Sequence, residues 1–238
     1  SRIRYYKQVR TGSVSKVRNA GLKLIKGTLV AFMDSDDLWH PEYLKKQAEA
    51  LARYPQAGYS LTNGYNFYQP GIATYYFNPK KQGELSGNLF IPFCEGRFFT
   101  FAQALVLRSE LLDSVGVFSE HFRDTTFGFM GELTYAAEGV FLYEPLFYRR
   151  LHDTNATLQH EAEHLRYFID TVKAFARRNL LPKCTMKQVL FKAHIHTGEY
   201  HATQGRTRMA LQHFMRAWYY RTVSIIPFKK AMKAICRR

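Results

Sequence analysis

The 238-residue sequence holds only three cysteines, Cys94, Cys184 and Cys236. They are far apart and none forms a Cys-x-x-Cys pair, which excludes a disulfide framework and a zinc ribbon and fits a reducing compartment. Long apolar runs are also missing, since nothing approaches the roughly 20 residues that cross a bilayer. The opening Ser1-Arg2-Ile3-Arg4-Tyr5-Tyr6 has the pattern of neither a signal peptide nor an initiator methionine. The expectation is a cytoplasmic protein, soluble or peripheral on the inner face of a membrane. Low-complexity tracts and convincing repeats are absent too. Acids are scarce, with 19 Asp and Glu against 34 Lys and Arg, a net charge of +15. Apolar residues are plentiful at 46%, and aromatics make up 16%, so the chain has the material for a core and is too apolar for disorder. The length suits one α/β domain with an appendage, or two small domains.

The charge is unevenly spread. Residues 161–238 hold 16 Lys and Arg and four acids, a net +12, whereas residues 1–160 carry 18 and 15. The sequence therefore divides into 1–160 and a basic C-terminal region, 161–238, with different tasks.

The amphipathic stretch Val17 to Ile25 predicts a helix stopped by Gly27. Thr28 to Met33 is a short continuous apolar run, the pattern of a strand buried on both faces in a parallel sheet. Asp34-Ser35-Asp36-Asp37 follows at once, and Pro41 with Tyr43, Leu44, Gln47, Ala48 and Leu51 predicts the next helix. Further strands are expected over 58–68, 101–107 and 140–148, a long surface loop over 70–87, and a short helix over 109–115 capped by Ser109. From Glu161 the texture is helical. One face carries Leu165, Phe168, Ile169, Val172, Phe175 and Ala176, and another carries Leu211, Phe214, Met215 and Trp218.

Three carboxylates crowded after a buried strand call for a cation to offset them. The carboxyl edge of an open α/β sheet is where ligands bind, and hard oxygen donors suit Mg²⁺ or Mn²⁺ with a diphosphate on the open positions. A sugar-nucleotide leaving group fits. The competing reading makes the loop a helix cap, with Asp37 as the capping residue.

Residues 14–44, running through Ala20-Gly21, Gly27 to Met33, Asp34-Ser35-Asp36-Asp37 and Pro41-Glu42-Tyr43-Leu44, resemble the central block of glycosyltransferase family 2. Leu105 to Arg108 with Val115-Gly116-Val117-Phe118-Ser119-Glu120, and Arg150-Leu151-His152 through Asn155 and Thr157, resemble two later blocks. The resemblance covers about residues 10–160. It implies a partial GT-A fold, a Rossmann-like mixed sheet with flanking helices, followed by the C-terminal helical region. It also implies an inverting, metal-dependent transferase that moves a sugar from a nucleotide-diphosphate sugar to a glycan or lipid-linked acceptor, as in cell-surface polysaccharide synthesis. Asp36 matches the family's metal ligand, Asp34 the residue against ribose and diphosphate, and His152 a position that completes the metal shell. Arg18 and Arg150 match positions near the diphosphate, and Arg18 could equally pair with an acid of the loop. Asp37 is expected to hold the loop.

Two departures stand out. The family's first nucleotide-binding units have no counterpart after Ser1, which predicts a fragment of a longer chain with weak or no sugar-nucleotide binding by itself. The family's Glu-Asp pair is missing from the stretch Arg123 to Leu133, which leaves Asp124 and Glu132 as the candidate general bases. Two other functions compete: a metal-dependent nucleotidyl- or phosphotransferase using the same carboxylates, and a non-catalytic membrane-docking remnant. In the tail, Ile225, Phe228, Met232 and Ile235 fall on one helical face and Lys229, Lys230, Lys233, Arg237 and Arg238 on or near the other, a pattern suited to an anionic membrane surface or to ordinary packing. Nucleic acid is not expected, for no recognised binding module accompanies these cations.

Overall fold

A computed structural model describes residues 3–69, 72–75, 80–98, 101–120, 126–152, 160–221, 224 and 226–235. Helix α1 (Val14–Leu22) begins at Ser13, whose side chain accepts from the Lys16 amide, and ends a turn before the expected Gly27. Strand β1 (Leu29–Ala31), β2 (Leu38–Trp39) and helix α2 (Tyr43–Arg53) follow. Next come β3 (Tyr59–Gln69), β4 (Ile72–Tyr75), β5 (Glu84–Gly87) and α3 (Phe90–Cys94). A 3₁₀ turn leads into β6 (Leu105–Arg108), a second into α4 (Leu112–Val115), and α5 (Phe127–Ala136) and β7 (Gly139–Arg150) complete the sheet region. Among the described residues four helices follow, α6 (Glu161–Arg177), α7 (Lys183–Thr203), α8 (Thr207–Tyr220) and α9 (Ile226–Ile235).

Among the described residues seven strands form one mixed sheet in the order β1-β6-β3-β7-β2, with β4 on β3 and β5 on β7. β3 and β7 run parallel, and the other ladders are antiparallel. β1 therefore differs from its expected setting. It pairs antiparallel with β6 at the end of the strand order, and Leu29 is 37% exposed while Val30 is buried. The segment 70–87 also departs from a plain loop, because the extended β3 and β7 offer unused ladder edges that β4 and β5 fill. No side chain caps the turn at Ser109, and Gly116, at φ +80°, ends α4.

Alternation along the strands sends Leu61, Leu105, Leu107 and Phe141 to one face and Val106, Val140 and Leu142 to the other. Tyr43, Ala50 and Leu51 of α2 cover the second face. The first is covered by Phe93, Met130 and Leu133 of α3 and α5, and the same apolar cluster continues into Val172, Phe175 and Leu190 of α6 and α7. The approach of α5 to α6 is close enough that a Cβ on Gly131 would lie 2.3 Å from the Phe175 ring. α7 and α8 make a third cluster in which Phe214 sits against Gly198. The face expected on α8 is rotated. Ala210, Phe214 and Ala217 are buried, while Met215 and Trp218 are 63% and 42% exposed, because small residues let α8 lie close on α7.

Candidate active site

The acidic loop leaves the carboxyl end of β1 and turns back through a hydrogen bond from the Asp37 amide to the Asp34 carbonyl, 3.2 Å. Each carboxylate then takes a different partner. Asp34 accepts from Nη2 of Arg18 on α1 through both oxygens, at 2.8 and 3.1 Å, and Arg18 Nη1 donates to Thr126 Oγ1 at 3.3 Å. Asp36 meets His152 Nε2 at 2.9 Å, with both side chains partly open to solvent. The hydrogen bond from His152 is the main reason that the Asp36 carboxyl titrates below its ordinary range. Asp37 is buried, accepting from Gln103 Nε2 at 2.8 Å and from the Arg150 amide at 2.9 Å, and burial pushes its carboxyl up to about 6. Asp37 thus holds the loop and does not cap α2, whose first turn has no side-chain cap.

Arg150 fixes the opposite wall. Its Nε donates to the Asp36 carbonyl at 3.0 Å, and its guanidinium lies 4.8 Å from the centre of the Phe67 ring. The loop, α1 and the end of β7 are thereby drawn together across more than a hundred residues of chain. Of the residues expected at the site, Arg18, Asp34, Asp36, Arg150 and His152 are gathered here. Asp34 is turned to Arg18 and not to the Asp36–His152 pair, so among the described residues no three His, Cys, Asp or Glu side chains are assembled as a metal cage. Glu132 stands apart, its carboxylate taken by Arg178 after α6. Asp124 lies outside the described residues, as do Asn155 and Thr157.

Three supporting residues carried no assigned role in the sequence reading. Gln103 binds Asp37, and its carbonyl accepts from Trp39 Nε1 at 3.1 Å and Tyr43 Oη at 2.7 Å. The signal was a single amide inside the apolar run Phe101 to Leu107. Asn19, buried on α1, receives from the Phe118 amide and donates to the Phe118 carbonyl and to Glu120, which clamps α1 to the turn that follows α4. Thr126 completes the cradle of Arg18.

Residues 1–109 match the family model described as glycosyl transferase family 2. That match supports an assignment to glycosyltransferase family 2. Of the site, the match takes in α1, Arg18, the acidic loop and Gln103, while Arg150 and His152 lie beyond it. The crystal structure of S. aureus TarS is similar over 96% of this chain with a TM-score of 0.57 and 16% identity, a likeness of fold. The chain spans 43% of the length of that structure. No curated protein matches it by sequence. A segment matching the glycosyltransferase family 2 model and a mixed GT-A-like sheet with added C-terminal helices are thus in place, with the acidic loop at the end of the strand where such a sheet receives ligands.

Proposed function

We propose that this chain is a metal-dependent inverting glycosyltransferase, which moves a sugar from a nucleotide-diphosphate sugar to a glycan or lipid-linked acceptor in cell-surface polysaccharide synthesis. The observation that carries this reading is the meeting of Asp36 with His152 at 2.9 Å, beside the Arg18–Asp34 pair. A carboxylate and an imidazole, adjacent and partly exposed, are a donor set that fits Mg²⁺ or Mn²⁺ with its remaining positions left to diphosphate oxygens. When bound, such an ion offsets the charge that grows on the departing diphosphate. Asp36 and His152 would hold it, with Asp34 oriented by Arg18 toward the ribose side. Arg18 and Arg150 supply guanidinium groups whose forked donors suit phosphate oxygens.

In the proposed reaction a base removes the acceptor hydroxyl proton, the oxygen attacks the anomeric carbon from the face opposite the leaving group, and the bond from that carbon to the diphosphate oxygen breaks. Of the two candidate bases, Glu132 is held by Arg178, so Asp124 is the one this reading keeps. The division into a sheet region, 1–160, that carries the chemistry and a basic region, 161–238, that serves another task belongs to the same proposal, as does a cytoplasmic setting. Among the described residues no helix is long and apolar enough to cross a membrane.

Manganese titration followed by electron paramagnetic resonance tests the site without requiring turnover. One Mn²⁺ should bind, and Asp36→Ala or His152→Ala should weaken it at least about tenfold. An unaltered isotherm in both variants would remove the assignment. Products formed from a panel of nucleotide sugars distinguish the chemistry, because nucleoside diphosphate release marks glycosyl transfer and pyrophosphate release marks nucleotidyl transfer.

A further inference from the structure

The outer surface of α8 and α9 exposes large side chains that the core leaves out. Met215 is 63% exposed, Trp218 42%, Tyr219 76%, Ile226 45% and Phe228 55%. Positions 215, 218 and 219 fall on one side of α8 by helical spacing, and Trp218 meets the Phe228 ring edge-on at 5.7 Å, which joins the two helices into one aromatic surface. Exposed cations stand around it, Arg208 and Arg216 on α8 and Lys229 and Lys233 on α9. Neither helix contains an acid. Of the four acids in residues 161–238, Glu163 pairs with His160, Asp170 with Arg166 and Glu199 with Lys230, while Glu161 sits in the first turn of α6. Lys230 is thereby withdrawn from the set of cations expected at a surface.

We propose that this face docks the protein on an anionic lipid surface, with the aromatic rings in the headgroup region and the Lys and Arg side chains on lipid phosphates. Three features favour a bilayer as the occupant. Trp and Tyr partition to the water–hydrocarbon boundary, where an apolar ring and a polar edge are both satisfied. Each cation near an anionic leaflet adds attraction that a neutral surface lacks. A second copy of this face would set Arg and Lys against Arg and Lys, which opposes self-association. Exposed aromatics also contribute more to interfacial burial than the single stripe expected on the last helix, since α8 brings Met215, Trp218 and Tyr219 to the same side.

The test is co-sedimentation of the chain with phosphatidylcholine vesicles, with and without phosphatidylglycerol. Binding should need phosphatidylglycerol and fade as salt rises toward 1 M, where the Debye length falls to about 3 Å. Lys229→Glu with Lys233→Glu should weaken partitioning about 30-fold or more, whereas Lys229→Arg with Lys233→Arg should retain it. Trp218→Ala with Phe228→Ala should weaken it about tenfold at unchanged charge. Should either double variant lose its circular dichroism spectrum, quenching of Trp218 emission by brominated lipid in an otherwise normal Trp39→Phe chain decides the matter, with quenching expected. Equal binding to neutral vesicles, indifference to charge reversal, or no quenching overturns the proposal. So does a dimer in sedimentation equilibrium that Trp218→Ala with Phe228→Ala dissolves, or preferential capture of a soluble acidic protein over the vesicles.

Discussion

Single side chains hold the acidic loop in shape, and Gln103 is the most exposed to test. Its carboxamide satisfies one oxygen of the buried Asp37 carboxylate, and the Arg150 amide satisfies the other. Gln103→Leu keeps the volume and removes the donor, leaving a buried carboxylate oxygen unpaired at a cost of about 1–3 kcal/mol, more for a charged group. Urea denaturation should register that loss, and Gln103→Glu should do no better at neutral pH because it opposes two carboxylates. At this scale the residues with a charge signature were legible. Asp34 and Asp36 stood out because acids directly after an apolar run are costly without a partner, and Arg18 met one of the two partners considered for it. Gln103 and Asn19 were not legible as supports. They act through one amide group each, and the groups they satisfy lie 66 and 99 residues away, so no local pattern announces them.

α2, β3, β6 and β7 form close to where apolar periodicity predicts them, whereas β2, β4, β5 and α3 were not expected, and elements differ where a neighbour supplied what the local sequence lacks. β5, Glu84-Leu85-Ser86-Gly87, has little apolar content and exists because β7 offers it a ladder. The face of α8 is set by Gly198 and three small or aromatic positions that dock on α7, a contact that periodicity within α8 alone does not reveal. Packing of α5 on α6 gives a direct test. Gly131→Ala places a methyl group against Phe175 and should destabilise the fold by about 1–3 kcal/mol. Adding Phe175→Leu to that variant should recover part of the loss, and simple additivity of the two in thermal unfolding would argue against direct contact. The α7–α8 pair carries a pH dependence. His194, 2% exposed, faces His213 at 3.0 Å between ring nitrogens and stacks on Tyr220, with Lys173 and Arg216 near enough to repel a proton. Burial first, then the facing His213 ring and these cations, bring its pKa from 6.5 down to about 3. The unfolded chain therefore takes up a proton below pH 6.5 that the folded chain refuses. Stability is complete above that pH and declines as the pH falls toward 3, by about 2 kcal/mol at pH 5 from this residue. His213 is lowered in the same way, to about 4, so His194→Gln should lessen but not abolish the decline in urea midpoints measured between pH 7 and 5.

For the molecule as a whole, one apolar cluster passes from the sheet into α6 and α7, so the charge boundary at residue 160 is not a boundary of the core. Unfolding should be a single transition. The two tryptophans report on opposite sides of that boundary, Trp39 on β2 and Trp218 on α8. Trp39→Phe and Trp218→Phe chains should give coincident fluorescence midpoints in urea, and two separated midpoints would refute one cooperative unit. The Asn19 clamp has a consequence in time. Ribosomes add about 5–20 residues per second, so α1 leaves the ribosome roughly 5–20 s before the Phe118–Glu120 turn it must grip, 99 residues later, has been made. Asp36 waits longer for His152, 116 residues away. The acidic loop is thus synthesised more than a hundred residues ahead of the Arg150 amide and the His152 ring that meet it. A nascent chain halted anywhere between residues 37 and 152 carries the carboxylates without the histidine that meets them.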